Sequence, residues 1–235
     1  MQIQLYHLSC SRSQRIVWLL EELNLPYELI ICNQENTHEA PDDLKTIHPL
    51  GKVPILTVQN NTNTPIILAE SASICQFLSR HFQQFDIDCT SLRTQADFDY
   101  WLHFSESTFL SNLVLKQVLY QMKCKTPFPV RFITHFIKQG LDYGFLNHTL
   151  HDYFKMTNQH LATQPYFAGQ NLSIVDILMW FPLLACSHAH VDFQCYSHVR
   201  HYLQQIENRP AFQRACIKGE WSTAQFQHYW QRAWN

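Results

Sequence analysis

The sequence predicts two domains of different class: an α/β domain built on a four-stranded mixed sheet flanked by helices, and an all-helical domain after it. Three observations carry this. The chain has 235 residues, and roughly 150 residues make an average domain, so one or two are expected. The N-terminal third alternates short apolar runs with runs of helical period. Beyond residue 91 no strand pattern recurs. The boundaries read as 1–84 and 92–235, with 85–91 as linker.

Ile3-Gln4-Leu5-Tyr6 reads as the first strand. Residues 12–24 read as a helix with Ile16, Val17, Leu19, Leu20 and Leu23 on one face, stopped by Pro26. Tyr27 to Cys32 is apolar and partly β-branched, a second strand. A short helix follows near Pro41 to Ile47, then turn residues at His48 to Pro54. Ile55 to Val58 and Ile66 to Leu68 pair across an Asn-rich loop, and a helix starts at Glu70-Ser71. The order βαβ, hairpin, helix implies a four-stranded mixed sheet. In the second half, helices are predicted over about 92–123, 130–161, 197–208 and 210–218. Another begins at Leu172-Ser173, where Ser173 and Asp176 form a capping box and Leu172 can staple to Ile177.

Composition narrows the function. A chain 46% hydrophobic and 15% charged is not disordered. Seventeen basic residues balance nineteen acidic ones, and no block of like charge stands out. No nucleic-acid or membrane partner is therefore expected. No apolar run approaches the ~18 residues of a membrane span, and the N-terminus is too polar for a signal-peptide core; a soluble, cytoplasmic protein is expected. Eight cysteines without a Cys-x-x-Cys pair suggest small buried hydrophobes rather than a disulfide framework. Cys186 to Cys195 holds a C-x-H-x-H-x4-C spacing that matches no usual zinc pattern, so no metal is expected.

Four motifs give the chain a family resemblance: Ser11-Arg12-Ser13-Gln14-Arg15 after the first strand, His48-Pro49-Leu50-Gly51-Lys52-Val53-Pro54, Leu68-Ala69-Glu70-Ser71, and the late Ser173 to Asp176 box. In this order the chain resembles a soluble glutathione transferase, most like a serine-type subgroup found in bacteria and fungi. The resemblance implies a thioredoxin-like N-terminal domain, an all-helical C-terminal domain, glutathione as co-substrate and a homodimer. It further implies that the Val53-Pro54 bond is cis and that the backbone there pairs with the cysteinyl part of glutathione. Glu70 and Ser71 would take the γ-glutamyl end, Lys52 the glycyl carboxylate, and His38 a second basic contact.

A free thiol titrates near 8.5, so such an enzyme must lower that pKa. Ser11 is the leading catalytic residue, a hydroxyl at a helix start that can donate to the thiolate. Cys10 and Tyr6 are the alternatives. Cys10 would imply a glutathione-dependent thiol–disulfide oxidoreductase, and its pKa would fall if it were exposed at the helix start. The electrophile site is expected between the two domains. There Trp101, Phe104, Ser105, Thr108 and Phe109 recur at helical spacing and could share one face toward an apolar acceptor. Halogenated aromatics, activated alkenes and hydroperoxides lie within what the resemblance implies; a non-enzymatic binding protein of the same fold is a third reading. The C-terminal stripe of Phe226, Trp230 and Trp234 is expected to pack onto the helical domain.

Overall fold

The computed structural model describes residues 1–32, 44–60, 64–87, 91–187 and 193–234. It holds two compact units: Met1–Asp88 with Ile206–Thr223, and Cys89–Gln205 with Ala224–Asn235.

The first unit is built on a four-stranded sheet of β1 (Gln2–His7), β2 (Glu28–Ile31), β3 (Ile55–Gln59) and β4 (Ile66–Ala69). Their order is β2-β1-β3-β4, with β1 parallel to β2 and antiparallel to β3, and β3 antiparallel to β4. This is the mixed sheet that the βαβ-hairpin pattern predicts. In β1, Ile3, Leu5 and His7 are buried in alternation, as strand geometry requires.

Helix α1 (Gln14–Glu22) returns from β1 to β2 and is shorter than the periodicity suggested, because residues 11–13 form a turn. Helix α2 (Leu44–Ile47) is a single turn. Gly51 follows at φ 57, and a Cβ there would stand 2.6 Å from Lys45 Cγ. Only glycine fits this turn between α2 and β3. Helix α3 (Ser71–Phe82) begins directly after β4 and ends in a left-handed Gln83.

The second unit carries α4 (Leu92–His103), α5 (Leu110–Lys125), α6 (Arg131–Leu141), α7 (Asn147–Leu161) and α8 (Ile174–Ser187), then most of α9 (Ser197–Glu207). The two long helices predicted over 92–123 and 130–161 are each interrupted by a π-helical turn, at Phe104–Phe109 and Asp142–Leu146. Gly140 and Gly144, beside and within the second of these turns, both lie in open space. α8 is apolar all round and buried along its whole length, so it forms the centre of the unit. Its start is the capping box: the Ser173 N–H and hydroxyl donate to Asp176 Oδ2 at 2.9 and 3.0 Å. Asp176 Oδ1 accepts from Phe167 N–H and the Tyr202 hydroxyl at 3.0 and 3.1 Å.

Helix α10 (Pro210–Lys218) and the residues up to Thr223 gather with the first unit, although the sequence reading grouped 92–235 together. The reason is charge and shape complementarity with α1. Glu21 accepts from Arg214 and Lys218 at 2.9 and 2.5 Å, and Glu22 pairs with Arg209 at 2.6 Å. Trp18 meets Phe212 edge-on at 5.3 Å. Burial alone would push the Glu21 carboxyl up, but hydrogen bonds from Lys218, Arg214 and Tyr27 hold it below the usual carboxylate range. Helix α11 (Thr223–Gln231) packs in the second unit, where Phe226 and Trp230 are buried and Phe181 lies 5.3 Å from Phe226.

Candidate functional site

Strand register decides which motifs can act together. Tyr6 of β1 pairs with Ile55 of β3, and Ile55 pairs with Ala69 of β4. The chain leaving β1 runs to Cys10 and Ser11. The chain entering β3 carries Lys52, Val53 and Pro54. The chain leaving β4 runs into Glu70 and Ser71. All three corners therefore lie at one end of the sheet. Adjacent strands are ~4.8 Å apart, so the row from β1 to β4 spans ~10 Å, the scale of an extended tripeptide.

Each corner has its own geometry. The Val53–Pro54 bond is cis; Pro54 is buried, Val53 half-buried and Lys52 exposed. Glu70 is exposed and held at φ 71, a left-handed conformation that costs a non-glycine residue on the order of 1–3 kcal/mol. Its carbonyl accepts from Ile74 N–H at 3.0 Å, opening α3, and Ser71 is buried in the first turn. An exposed glutamate in this conformation beside a helix N-terminus suits a charged ligand that carries both an ammonium and a carboxylate. His38 lies outside the described residues.

At the β1 corner, Ser11 is half-buried and belongs to a hydrogen-bonded chain. His7 Nε2 lies 2.9 Å from the Gly219 carbonyl, which only accepts, so this nitrogen carries the proton. Burial lowers the His7 pKa, against the Gly219 bond and the Glu220 charge, and keeps the ring neutral. Nδ1 is then an acceptor, and the Ser13 hydroxyl donates to it over 2.7 Å. The Ser13 oxygen in turn accepts from Leu8 N–H at 3.1 Å and from the Ser11 hydroxyl at 2.7 Å. The Ser11 oxygen is pinned by Ser13 N–H at 3.2 Å. His7 and Gly219 were not among the residues singled out in the sequence, and Ser13 entered only as part of a motif, with no role of its own. The alternating burial of β1 could have marked His7, but nothing in the sequence links it to Gly219.

Cys10 sits beside this chain at φ 56. It lies four residues before α1 and not at its first turn. Its thiol donates to the Ser222 carbonyl at 3.4 Å and accepts from Ser222 N–H at 3.2 Å. Burial pushes its pKa up, and the Ser222 contact only partly offsets this. The condition for a lowered pKa, exposure at a helix start, is not met. Tyr6 packs with Ile30, Ile47 and Val53 against the small cluster of Cys32, Leu44 and Ile55, on the sheet face opposite His7.

The five residues of the expected electrophile face do not share one surface. The π-helical turn widens the spacing to i, i+5 and rotates the later positions. Trp101, Ser105 and Phe109 are buried in the second unit's own core. Ser105 donates to the Leu102 carbonyl at 2.7 Å, and Phe109 meets Phe154 and Tyr153 edge-on at 6.0 and 5.7 Å. Phe104 and Thr108 instead line an open cavity of about 660 Å³ with Tyr100, His103, Tyr153 and Met156. Among the described residues no three histidine, cysteine or acidic side chains come together to hold a metal. Residues 188–192 of the Cys/His segment lie outside the described part.

Comparison with known proteins bears on what this arrangement is. Residues 9–81 match the family "Glutathione S-transferase, N-terminal domain" and residues 146–210 match "Glutathione S-transferase, C-terminal domain". Glutathione S-transferase 3 of Schizosaccharomyces pombe is 30% identical over 222 residues, covering 94% of this chain and 89% of that protein. The chain belongs to the glutathione S-transferase family. A crystal structure of a glutathione S-transferase from Actinobacillus pleuropneumoniae superposes with TM-score 0.74 at 32% identity, covering 93% of each chain. A glutathione transferase family member from Pseudomonas fluorescens, with two glutathione molecules bound, shares the fold at TM-score 0.71 and 18% identity, covering 91% of each chain. A disulfide-bond oxidoreductase of Escherichia coli is a more distant relative, 22% identical and covering 93% of this chain and 96% of that protein. The resemblance read from the four motifs and the two-part fold class both hold.

Proposed function

We propose that this chain is a glutathione transferase that binds glutathione across the end of its sheet and uses Ser11 to hold the thiolate. The observation that carries the reading is the Tyr6–Ile55–Ala69 row, which aligns the Ser11, Val53-Pro54 and Glu70-Ser71 corners. Glutathione lies along this row as an added strand on the Val53 backbone. Glu70 accepts its γ-glutamyl ammonium, and Ser71 with the α3 N-terminus takes the adjoining carboxylate. Lys52 pairs with the glycyl carboxylate, and His38 adds a second basic contact.

The thiol proton leaves to water and the thiolate sulfur remains. Ser11 turns its hydroxyl hydrogen from Ser13 toward that sulfur, its oxygen still held by Ser13 N–H. Ser13 keeps its bonds to His7 and Leu8, so the swing leaves no buried donor unpaired. A donor fixed in place where negative charge resides stabilises the nucleophile without reorganisation. The thiolate attacks an electrophilic carbon, the carbon–sulfur bond forms, and a halide leaves or an alkene carbon takes the charge and then a proton. The Phe104–Thr108 cavity in the second unit supplies an apolar surface for such an acceptor. Reduction of a hydroperoxide by glutathione is a second outlet for the same thiolate. The reading extends to a cytoplasmic homodimer acting in detoxification.

The second reading, disulfide exchange through Cys10, is supported by the oxidoreductase relative and opposed by the raised pKa of that thiol. Titrating glutathione against pH while following thiolate absorbance separates the readings. The proposal requires a glutathione thiol pKa that is lowered in the wild type and restored in Ser11→Ala. Binding with no lowered pKa moves the chemistry to Cys10, and no binding leaves a non-enzymatic protein of this fold.

A further inference from the structure

The connection from α10 to α11 lies along the chain that leaves β1. Three contacts join the two segments in order. His7 Nε2 meets the Gly219 carbonyl at 2.9 Å, the Ser9 hydroxyl meets Glu220 Oε2 at 3.4 Å, and Cys10 Sγ accepts from Ser222 N–H at 3.2 Å. Both segments belong to the first unit. The approach is tightest at Gly219, which is buried. A Cβ there would stand 2.2 Å from Gln14 Oε1, and Gln14 is itself buried and tied to the Ala215 carbonyl at 2.7 Å. Gly219 has φ −84, so the backbone would accept a side chain and the glycine is a matter of space.

What this close approach does for Ser11 follows from counting lone pairs. A hydroxyl donates one hydrogen bond and accepts two. Four groups compete for the buried Ser13 oxygen: His7 Nδ1 and the Ser11 hydroxyl at 2.7 Å each, Leu8 N–H at 3.1 Å and the Leu8 carbonyl at 3.2 Å. With Nε2 protonated against Gly219, Nδ1 is bare and takes the Ser13 hydrogen. The two lone pairs then go to Leu8 N–H and to Ser11. With the proton on Nδ1 instead, the imidazole and Leu8 N–H would fill both lone pairs. The Ser13 hydrogen would turn to the Leu8 carbonyl, and Ser11 would lose its acceptor.

The tautomer of a neutral imidazole is set by the bond its other nitrogen makes. Here that bond is to Gly219. A serine side chain has three staggered positions, and the Ser11 oxygen is held in one of them by Ser13 N–H at 3.2 Å and by its own bond to the Ser13 oxygen. A donor that must search its rotamers when the thiolate forms loses the preorganisation that makes it effective.

We propose that Gly219, His7 and Ser13 are positioning residues of the transferase: the Gly219 carbonyl selects the His7 tautomer, and through Ser13 that choice holds the Ser11 oxygen where the glutathione sulfur meets it. The inference rests on Ser11 as the residue that holds the thiolate. It extends the thiolate site to a carbonyl 212 residues from its histidine partner, in a connection between two late helices.

The test follows the thiol pKa of bound glutathione by thiolate absorbance, and kcat and KM with a halogenated aromatic acceptor. It compares the wild type, Ser11→Ala, Ser13→Ala, Gly219→Ala and the two double variants that add Ser11→Ala. The methyl of Gly219→Ala meets Gln14 and pushes the carbonyl off His7. Ser13→Ala and Gly219→Ala should each raise the bound-thiol pKa part of the way to the Ser11→Ala value. Each should lower kcat about 10–100-fold and leave KM for glutathione within about threefold. Added to Ser11→Ala, each should change kcat by no more than about twofold, because its effect runs through the hydroxyl already removed. A bound-thiol pKa equal to wild type in both single variants, or losses that multiply in the double variants, overturns the inference and leaves the Ser11 reading standing. An unchanged thiol pKa in Ser11→Ala itself overturns both. The tautomer is read on the wild type from imidazole nitrogen NMR shifts, with His7→Gln identifying the signals. A bare Nδ1 is expected, and a protonated Nδ1 overturns the inference.

Discussion

The Ser13 hydroxyl donates to His7 Nδ1 over 2.7 Å, and this one bond sets the direction of every other hydrogen bond at the β1 corner. Ser11 then has a single place for its own hydrogen in the ligand-free state, toward Ser13. The Ser11 hydroxyl is thus held by a neutral buried histidine two bonds away.

The effect of Ser11→Ala should fall on chemistry and not on folding. Removing one donor from a site of developed negative charge costs roughly 10²–10³ in rate. We expect such a drop in kcat/KM with a halogenated aromatic acceptor near neutral pH, with an unchanged melting temperature. Recovery at alkaline pH, where glutathione ionises unaided, distinguishes this from a loss of binding.

His7 predicts an acid-sensitive fold. Its folded pKa is lowered by burial, so the stability from keeping it neutral is fully present above ~6.5 and is lost as pH falls through the folded value. The urea midpoint should decline below pH ~6.5. His7→Gln should flatten that decline at a cost of about 1–3 kcal/mol at pH 7, because Ser13 and Gly219 lose their fitted partner. A pH slope identical in wild type and variant would count against this assignment.

Glu70 should trade stability against affinity. At φ 71 a glycine is relaxed, so Glu70→Gly should stabilise the protein by about 1 kcal/mol. If Glu70 holds the γ-glutamyl ammonium, the same change should raise KM for glutathione roughly tenfold or more with little change in kcat, the mark of lost ground-state binding. Steady-state kinetics and denaturant titration of one variant read both effects.

Asp142 should be among the most damaging single sites in the second unit. Asp142→Asn leaves the buried Lys116 and Lys138 without their shared carboxylate. Breaking a buried ion pair from one side costs about 3–5 kcal/mol. Burial already lowers the Lys116 pKa, against Asp142. A denaturant midpoint close to wild type would mean that the cluster has relaxed to water.

The Asp176 box should behave as a structural cap. Four donors converge on its two oxygens, and burial pushes its pKa up to about 6. Asp176→Ala should cost at least 3 kcal/mol, since the donors and the start of α8 are buried. Because its folded pKa is raised, the wild-type contribution falls as pH rises from about 4 to about 6, opposite in sign to that of His7.

Much of this molecule was legible in its sequence where the information is local. Short apolar and β-branched runs gave the four strands, the helical stripe of Ile16 to Leu23 gave α1, and Ser173 with Asp176 gave the start of α8. The motifs that named the family are likewise turn and cap chemistry, written in a few adjacent residues. The places where the reading departed from the structure have nonlocal causes. A helical wheel drawn through Trp101 to Phe109 assumes 3.6 residues per turn, and the π-helical turn removes that assumption. The grouping of 92–235 misses α10, whose Arg214 and Lys218 answer Glu21 of α1.

By itself the sequence determined which segments become strands and helices, and which corners carry glutathione-type motifs, because backbone sterics and side-chain periodicity act within a turn or two of the chain. Only the tertiary structure decided that Tyr6, Ile55 and Ala69 stand in one row, that His7 takes Gly219 as its partner 212 residues away, and that Cys10 is a half-buried thiol bonded to Ser222. Register, tautomer and thiol acidity depend on which groups burial brings together, and that is fixed by packing across elements.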